Sequence, residues 1–183
     1  AGRHMEEFTA RTFPEPETLF DDYATRPAAA EAEMSVRDHM GWSGDNKIFP
    51  QTMREMGLDE IGIDTLRFNY SVGRMDSVQR ATFEKYYGPV NEAFKEAYPD
   101  MTEEEVMKWK YQRYMQDYLG TIRAVDENVG RLLDYLEAND MMENTIIVYT
   151  SDQGFYLGEH GWFDKRFVYD ESFRTPLLVA WPG

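Results

Sequence analysis

Thr145-Ile146-Ile147-Val148-Tyr149-Thr150-Ser151-Asp152-Gln153-Gly154 is the stretch on which the fold class turns. Its first six residues are β-branched or apolar without alternation, the pattern of a strand buried on both faces of a parallel sheet flanked by helices. Leu177-Leu178-Val179-Ala180-Trp181 reads as a second such strand. The expected fold is therefore α/β, with part of a mainly parallel sheet. Open sheets of this kind bind ligands where loops leave the carboxyl ends of their strands, and Ser151-Asp152-Gln153-Gly154 lies at that place.

Working downstream, Asp152 offers a carboxylate and Gln153 an amide oxygen, hard donors that suit Ca²⁺ or Mg²⁺ better than a soft transition metal. Read alone, Asp-Gln-Gly after a strand serves equally to cap a turn. Gly158-Glu159-His160-Gly161 and Lys165-Arg166 add a titratable ring and two cations within fourteen residues of Asp152. A metal beside an ammonium is a receptor for a tetrahedral oxyanion, because both oppose charge growing on a leaving oxygen. His160 has two readings, proton donor or backbone-bonding residue of a glycine turn. Lys165 and Arg166 also read as solvated surface cations.

Upstream, residues 1–75 read as irregular with short helices. The runs Glu17 to Tyr23 and Ala28 to Met34 follow prolines, and Gly41 to Asn46 is rich in turn formers. From Asp76 to about Tyr98 the pattern is helical, with Val78, Phe83, Tyr86, Tyr87 and Phe94 expected in the core and Gly88-Pro89 expected to break or kink the helix. Thr102-Glu103-Glu104-Glu105 has the form of a capping box. The helix it opens carries an apolar stripe from Tyr111 through Ile122 and Val129 to Leu136. His39 reads as a packing or hydrogen-bonding residue, and His4 as a terminal residue without a partner. Asp21-Asp22 and Glu103 to Glu105 read as solvated or capping carboxylates.

Composition narrows the classes. The 183 residues hold 34 acidic and 19 basic side chains, a net charge of −15, with 15% aromatics. The aromatic share argues against disorder, and the negative field against broad nucleic-acid or anionic-membrane binding. An anion pocket must therefore be built locally. Zero cysteines exclude a disulfide framework, a thiolate nucleophile and a Cys-based zinc site within these residues. No run reaches the roughly 20 apolar residues of a membrane span. The absent initiator Met and the stop at Trp181-Pro182-Gly183 suggest a piece of a longer protein.

Ser151 to Arg166 resembles the type I, formylglycine-dependent sulfatases, and most closely the bacterial arylsulfatase and glycan-sulfatase group related to iduronate sulfatase. The resemblance extends to Tyr118 through Leu136, to Arg174-Thr175-Pro176-Leu177 with Trp181-Pro182-Gly183, and to Phe13 through Tyr23. It implies an alkaline-phosphatase-like fold with a helix-rich amino-terminal portion. Residues 1–75 would be loops and short helices, 76–140 helices, and 141–183 a strand-loop-strand unit carrying the site.

The resemblance further implies that Asp152 and Gln153 are calcium ligands, that Lys165 contacts the sulfate, and that His160 lines the active site. The substrate would be a sulfated small molecule or glycan, the partner the remainder of a sulfatase chain, and the location periplasmic or secreted. The family's Cys/Ser-X-Pro-X-Arg nucleophile motif and its early Asp-Asp metal pair are absent, so the formylglycine is expected upstream and the isolated chain is expected to be inactive. A phosphoesterase or phosphonate hydrolase of the same superfamily is the alternative enzyme. An acidic calcium-binding or interaction domain is the non-catalytic one.

Overall fold

The computed structural model describes residues 4–58 and 63–182. Two short helices, α1 (Met5–Thr9) and α2 (Pro27–Ala30), lie among turns. They are followed by α3 (Pro50–Glu55), α4 (Ile63–Gly73), α5 (Ser77–Ala97) and α6 (Glu103–Ala138). The chain then forms β1 (Ile147–Thr150), β2 (Tyr156–Leu157), β3 (Phe163–Asp164), α7 (Asp170–Phe173) and β4 (Leu177–Ala180). No helix among the described residues is long and apolar enough to cross a membrane.

The capping box at Thr102 forms as its sequence predicts: Thr102 accepts from the Glu105 amide at 3.3 Å, and Glu105 reaches back to the Thr102 amide at 2.8 Å. A second box, Asp76 with Gln79, opens α5. Contrary to expectation, α5 runs through Gly88-Pro89 without a break. Pro89 lacks the N–H of one helical bond, but Phe83, Tyr87, Asn91 and Phe94 anchor the helix on both sides of it, all buried. Val78, expected inside, is exposed.

The expected parallel, doubly buried strands are corrected. β1 pairs antiparallel with β4, Ile147 opposite Ala180 and Thr150 opposite Leu177, and β2 pairs antiparallel with β3. Val148, Tyr149, Leu177, Leu178 and Val179 are exposed. The continuous apolar run correctly marked a strand with two apolar faces, but among the described residues nothing covers them.

The core lies elsewhere, where the irregular amino-terminal segment is pressed between the helices and the segment 156–169. Leu19, Val36 and Met40 pack against Met107, Tyr111 and Met115 of α6. Ala29 and Met34 pack against Tyr156 and Trp162. Main-chain bonds join the same parts: Val36 N–H donates to Gly161 O at 2.8 Å, and Phe163 N–H to Met34 O at 2.9 Å. Lys110 is buried yet satisfied, its Nζ donating to Arg37 O and Met40 O at 2.9 and 3.0 Å beneath the Trp42 ring. The buried positions of α6 run from Met107 to Gly120. Its apolar stripe continues beyond them, with Ile122, Val125, Leu132 and Tyr135 exposed. His4 has a partner after all, Nε2 lying 2.6 Å from Glu127 of α6.

Candidate functional site

Asp152 and Gln153 follow β1 in a bend, Asp152 exposed and Gln153 half-buried. Ser151 Oγ donates to Gln153 O at 2.7 Å, and Gly154 N–H donates to Ser172 O of α7 at 2.8 Å. Gly154 is required by space: a Cβ there would stand 2.0 Å from Glu171 O. The turn is thus clamped to α7 while the Asp152 side chain stays open. Lys165 follows β3 and is exposed. Neither Asp152 nor Lys165 has a hydrogen-bond or ion-pair partner among the described residues. Arg166, by contrast, is engaged, with Nε 2.7 Å from Asp164 and Nη2 donating to Glu33 O at 2.6 Å.

His160 is held on every side. Its backbone is left-handed at φ 57°, uncommon for a residue with a side chain. Its N–H donates to Thr18 Oγ1 at 3.0 Å, and its carbonyl accepts from Tyr23 Oη at 2.6 Å. Nδ1 lies 2.8 Å from Asp21 Oδ2. A carboxylate only accepts, so Nδ1 carries the proton. The other ring edge faces Glu171 Oε1 at 3.9 Å, with Tyr169 edge-on at 5.1 Å between centroids. The flanking Gly161 has φ +67°, and a Cβ there would meet Leu19 O at 2.7 Å, so the turn accepts only glycine at this position.

Asp21 is the centre of this arrangement and corrects the sequence expectation of a solvated or capping carboxylate. Its side chain is 8% exposed. Oδ1 accepts from Arg26 Nη2 at 2.5 Å and from the Tyr23 amide at 2.9 Å. Burial alone would raise its pKa, but Arg26, His160 and the Tyr23 amide outweigh it and bring the carboxyl down to about 2. Asp22 does cap, accepting from Ala24 N–H at 2.8 Å.

The sign of the linkage follows. The folded pKa lies below the ordinary 3.8, so the stabilisation is present above about pH 4 and is lost as pH falls through about 2. Asp21→Asn is expected to remove about 2 kcal/mol at pH 6 and to flatten the acid limb of stability, read as urea midpoints between pH 6 and 3.

The structure therefore brings His160 and the Asp152-Gln153-Gly154 turn onto one short helix, α7, while Lys165 joins neither by a hydrogen bond or ion pair among the described residues. A cavity of about 890 Å³ is lined by none of the four, though Asp164 and Arg166 on either side of Lys165 belong to its wall, with Asp45, Lys47, Tyr118 and Phe155 among others. Burial pushes the Asp117 carboxyl on its wall up, against the pull of Arg113 at 2.7 Å. Asp45, Lys47 and Arg67 give the 41–75 stretch a share in this wall. Residues 59–62 of that stretch lie outside the described residues.

The part Asp21, Tyr23 and Arg26 play around His160 was not visible in the sequence. Asp21 and Tyr23 reach His160 across nearly 140 positions, Arg26 acts through Asp21, and no local pattern marks such a pairing.

Comparison with known proteins gives the family. The family model described as Sulfatase matches residues 78–183. The chain is 45% identical, over its whole length, to an N-acetylglucosamine-6-O-sulfatase of Bacteroides thetaiotaomicron, of which it covers 31%. It is 32% identical over 59% of its length to mouse iduronate 2-sulfatase, covering 17% of that protein. A solved structure, of a protein in complex with its substrate D-glucosamine-2-N,6-O-disulfate, superposes with a TM-score of 0.84 at 44% identity, matching all of this chain and 35% of that one. The chain thus spans about a third of the length of its full-length matches. By the family model that matches more than half of it, the chain belongs to the sulfatase family.

Proposed function

We propose that this chain works as part of a longer sulfatase that hydrolyses a sulfate ester on an amino sugar of the glucosamine type. The observation that carries the reading is the 45% identity over every residue of the chain to an N-acetylglucosamine-6-O-sulfatase. The solved relative that superposes on the whole chain holds a 6-O-sulfated glucosamine, which supports the same substrate class.

The donor set fits calcium. Asp152 is an exposed carboxylate without a hydrogen-bond or ion-pair partner among the described residues, and Gln153 beside it offers a neutral oxygen. Calcium takes about 6–8 oxygens, and among the described residues no three His, Cys, Asp or Glu side chains are grouped to hold a metal. The remaining ligands, and the formylglycine nucleophile, are then supplied by the rest of the longer protein. Bound calcium would supply positive charge to the sulfate oxygens. Asp152 and Gln153 would hold that ion, on a turn tied to α7 through the Gly154–Ser172 bond. Lys165 donates from Nζ to the ester oxygen on which charge grows as its bond to sulfur breaks and the nucleophile's bond to sulfur forms; that oxygen leaves as the sugar alcohol with a proton drawn ultimately from water, whose oxygen ends in the released sulfate.

The full-length protein is expected to release inorganic sulfate from glucosamine 6-O-sulfate, and to lose that activity on chelation and regain it with calcium. Asp152→Asn should raise the calcium concentration needed for half-activation by at least about 10-fold. Faster release of phosphate from a matched phosphate monoester would overturn the reading in favour of a phosphoesterase.

A further inference from the structure

We infer that Asp21 and His160 form a positioning pair for the Asp152-Gln153-Gly154 turn, an inference that rests on the calcium reading above. A chain of direct contacts links the pair to the turn. Arg26 and the Tyr23 amide fix one oxygen of Asp21, and the other holds His160 Nδ1 at 2.8 Å. The backbone N–H and C=O of His160 are both engaged, by Thr18 and Tyr23, so the residue can neither swing nor slide. The far edge of its ring meets Glu171 and Tyr169, the latter at the start of α7.

α7 in turn grips Gly154 from two sides, through the bond to Ser172 O and through the approach of Glu171 O that excludes a Cβ. Gly154 follows Gln153 directly. A displacement of His160 therefore reaches the two proposed calcium ligands through α7, with no compliant loop between. Nδ1 is committed to Asp21, and Nε2 is turned toward a second carboxylate of the same chain. Groups that orient metal ligands from outside the coordination sphere alter metal affinity by about 10–100-fold when removed.

The test uses the full-length protein, stripped with chelator and titrated calorimetrically with calcium chloride, alongside kcat and KM for a sulfated glucosamine. Asp21→Asn and His160→Ala are expected to weaken calcium binding by about 10-fold or more. The double variant should be little worse than either single, as for groups acting as one unit. His160→Asn carries an amide whose nitrogen stands where Nδ1 does, so it can donate to Asp21 but cannot act as an acid, and it should hold calcium affinity and kcat within a few-fold of the parent. Asp22→Asn, which touches only the Ala24 amide, is the control and should change neither.

Unaltered calcium affinity in both Asp21→Asn and His160→Ala would overturn the inference while leaving the calcium site standing. So would a His160→Asn variant that binds calcium normally but loses kcat as His160→Ala does, since that is the mark of an acid. Failure of the unsubstituted protein to bind calcium would remove the underlying reading and the inference together.

Discussion

Lys165→Ala in the full-length protein is expected to lower kcat/KM for a sulfate ester by about 10²-fold or more, the usual cost of removing one donor aimed at developing negative charge. Two features of the structure make this a clean experiment. Lys165 is exposed and has no hydrogen-bond or ion-pair partner among the described residues, so its removal should leave folding within about 0.5 kcal/mol of the parent. Its neighbour cannot take its place, because Arg166 is already committed to Asp164 and Glu33 O. The chain carries 34 acidic residues against 19 basic ones, so no diffuse positive field compensates. Steady-state kinetics paired with thermal unfolding separate the two effects. A loss of activity below about 5-fold, with stability unchanged, would place Lys165 on the solvated surface rather than on the sulfate.

Trp162→Ala is expected to cost about 3–5 kcal/mol of stability, the range for deleting a large buried aromatic. Trp162 is fully buried, with the rings of Tyr23, Tyr156, Phe167 and Tyr169 at 4.9 to 5.7 Å. These neighbours cannot easily collapse into the space. Tyr156 Oη is tied to Phe167 O at 2.8 Å, and Tyr23 Oη to His160 O at 2.6 Å. The cavity would stay open, which puts the expected cost toward the upper end. Trp162→Phe should recover a large part of it. Chemical unfolding measures the loss directly. A cost below about 1 kcal/mol would mean that this aromatic cluster is looser than its geometry indicates.

Much of the local structure could be read from residues close in sequence. The Thr102 box, the long apolar period of α6 and the β-branched run ahead of Asp152 each depend on a repeat or a cap that a few positions suffice to define. What escaped depends on distant partners. Whether Ile147 pairs parallel or antiparallel is decided by where Leu177 to Ala180 returns, and no spacing within either strand records that. Pro89 announced a break that packing of Tyr87 and Phe94 overrode. Asp21 looked like one half of a solvated acidic pair until Arg26 and the imidazole of His160 closed around it. Of the proposed site, the chemical types at Asp152, Gln153, His160 and Lys165 were legible, because a metal or an anion needs particular donors. The way they are held was not, since α7 and the amino-terminal segment do that work through contacts among otherwise ordinary residues.

The continuity of α6 has a consequence for how the molecule opens. At about 1.5 Å per residue its 36 residues extend about 54 Å, and the positions buried on it stop at Gly120. Amides before that point are released only when the core itself is lost. Beyond it, with Ile122, Val125, Leu132 and Tyr135 exposed and Gly130 weakening the backbone by about 1 kcal/mol relative to alanine, the turns are held by helix propensity and by a few outer contacts such as His4 with Glu127 and Glu7 with Arg123. One unbroken helix thus joins two regimes of amide exchange, and whatever covers the outer half adds protection there without first having to reorganise the inner one.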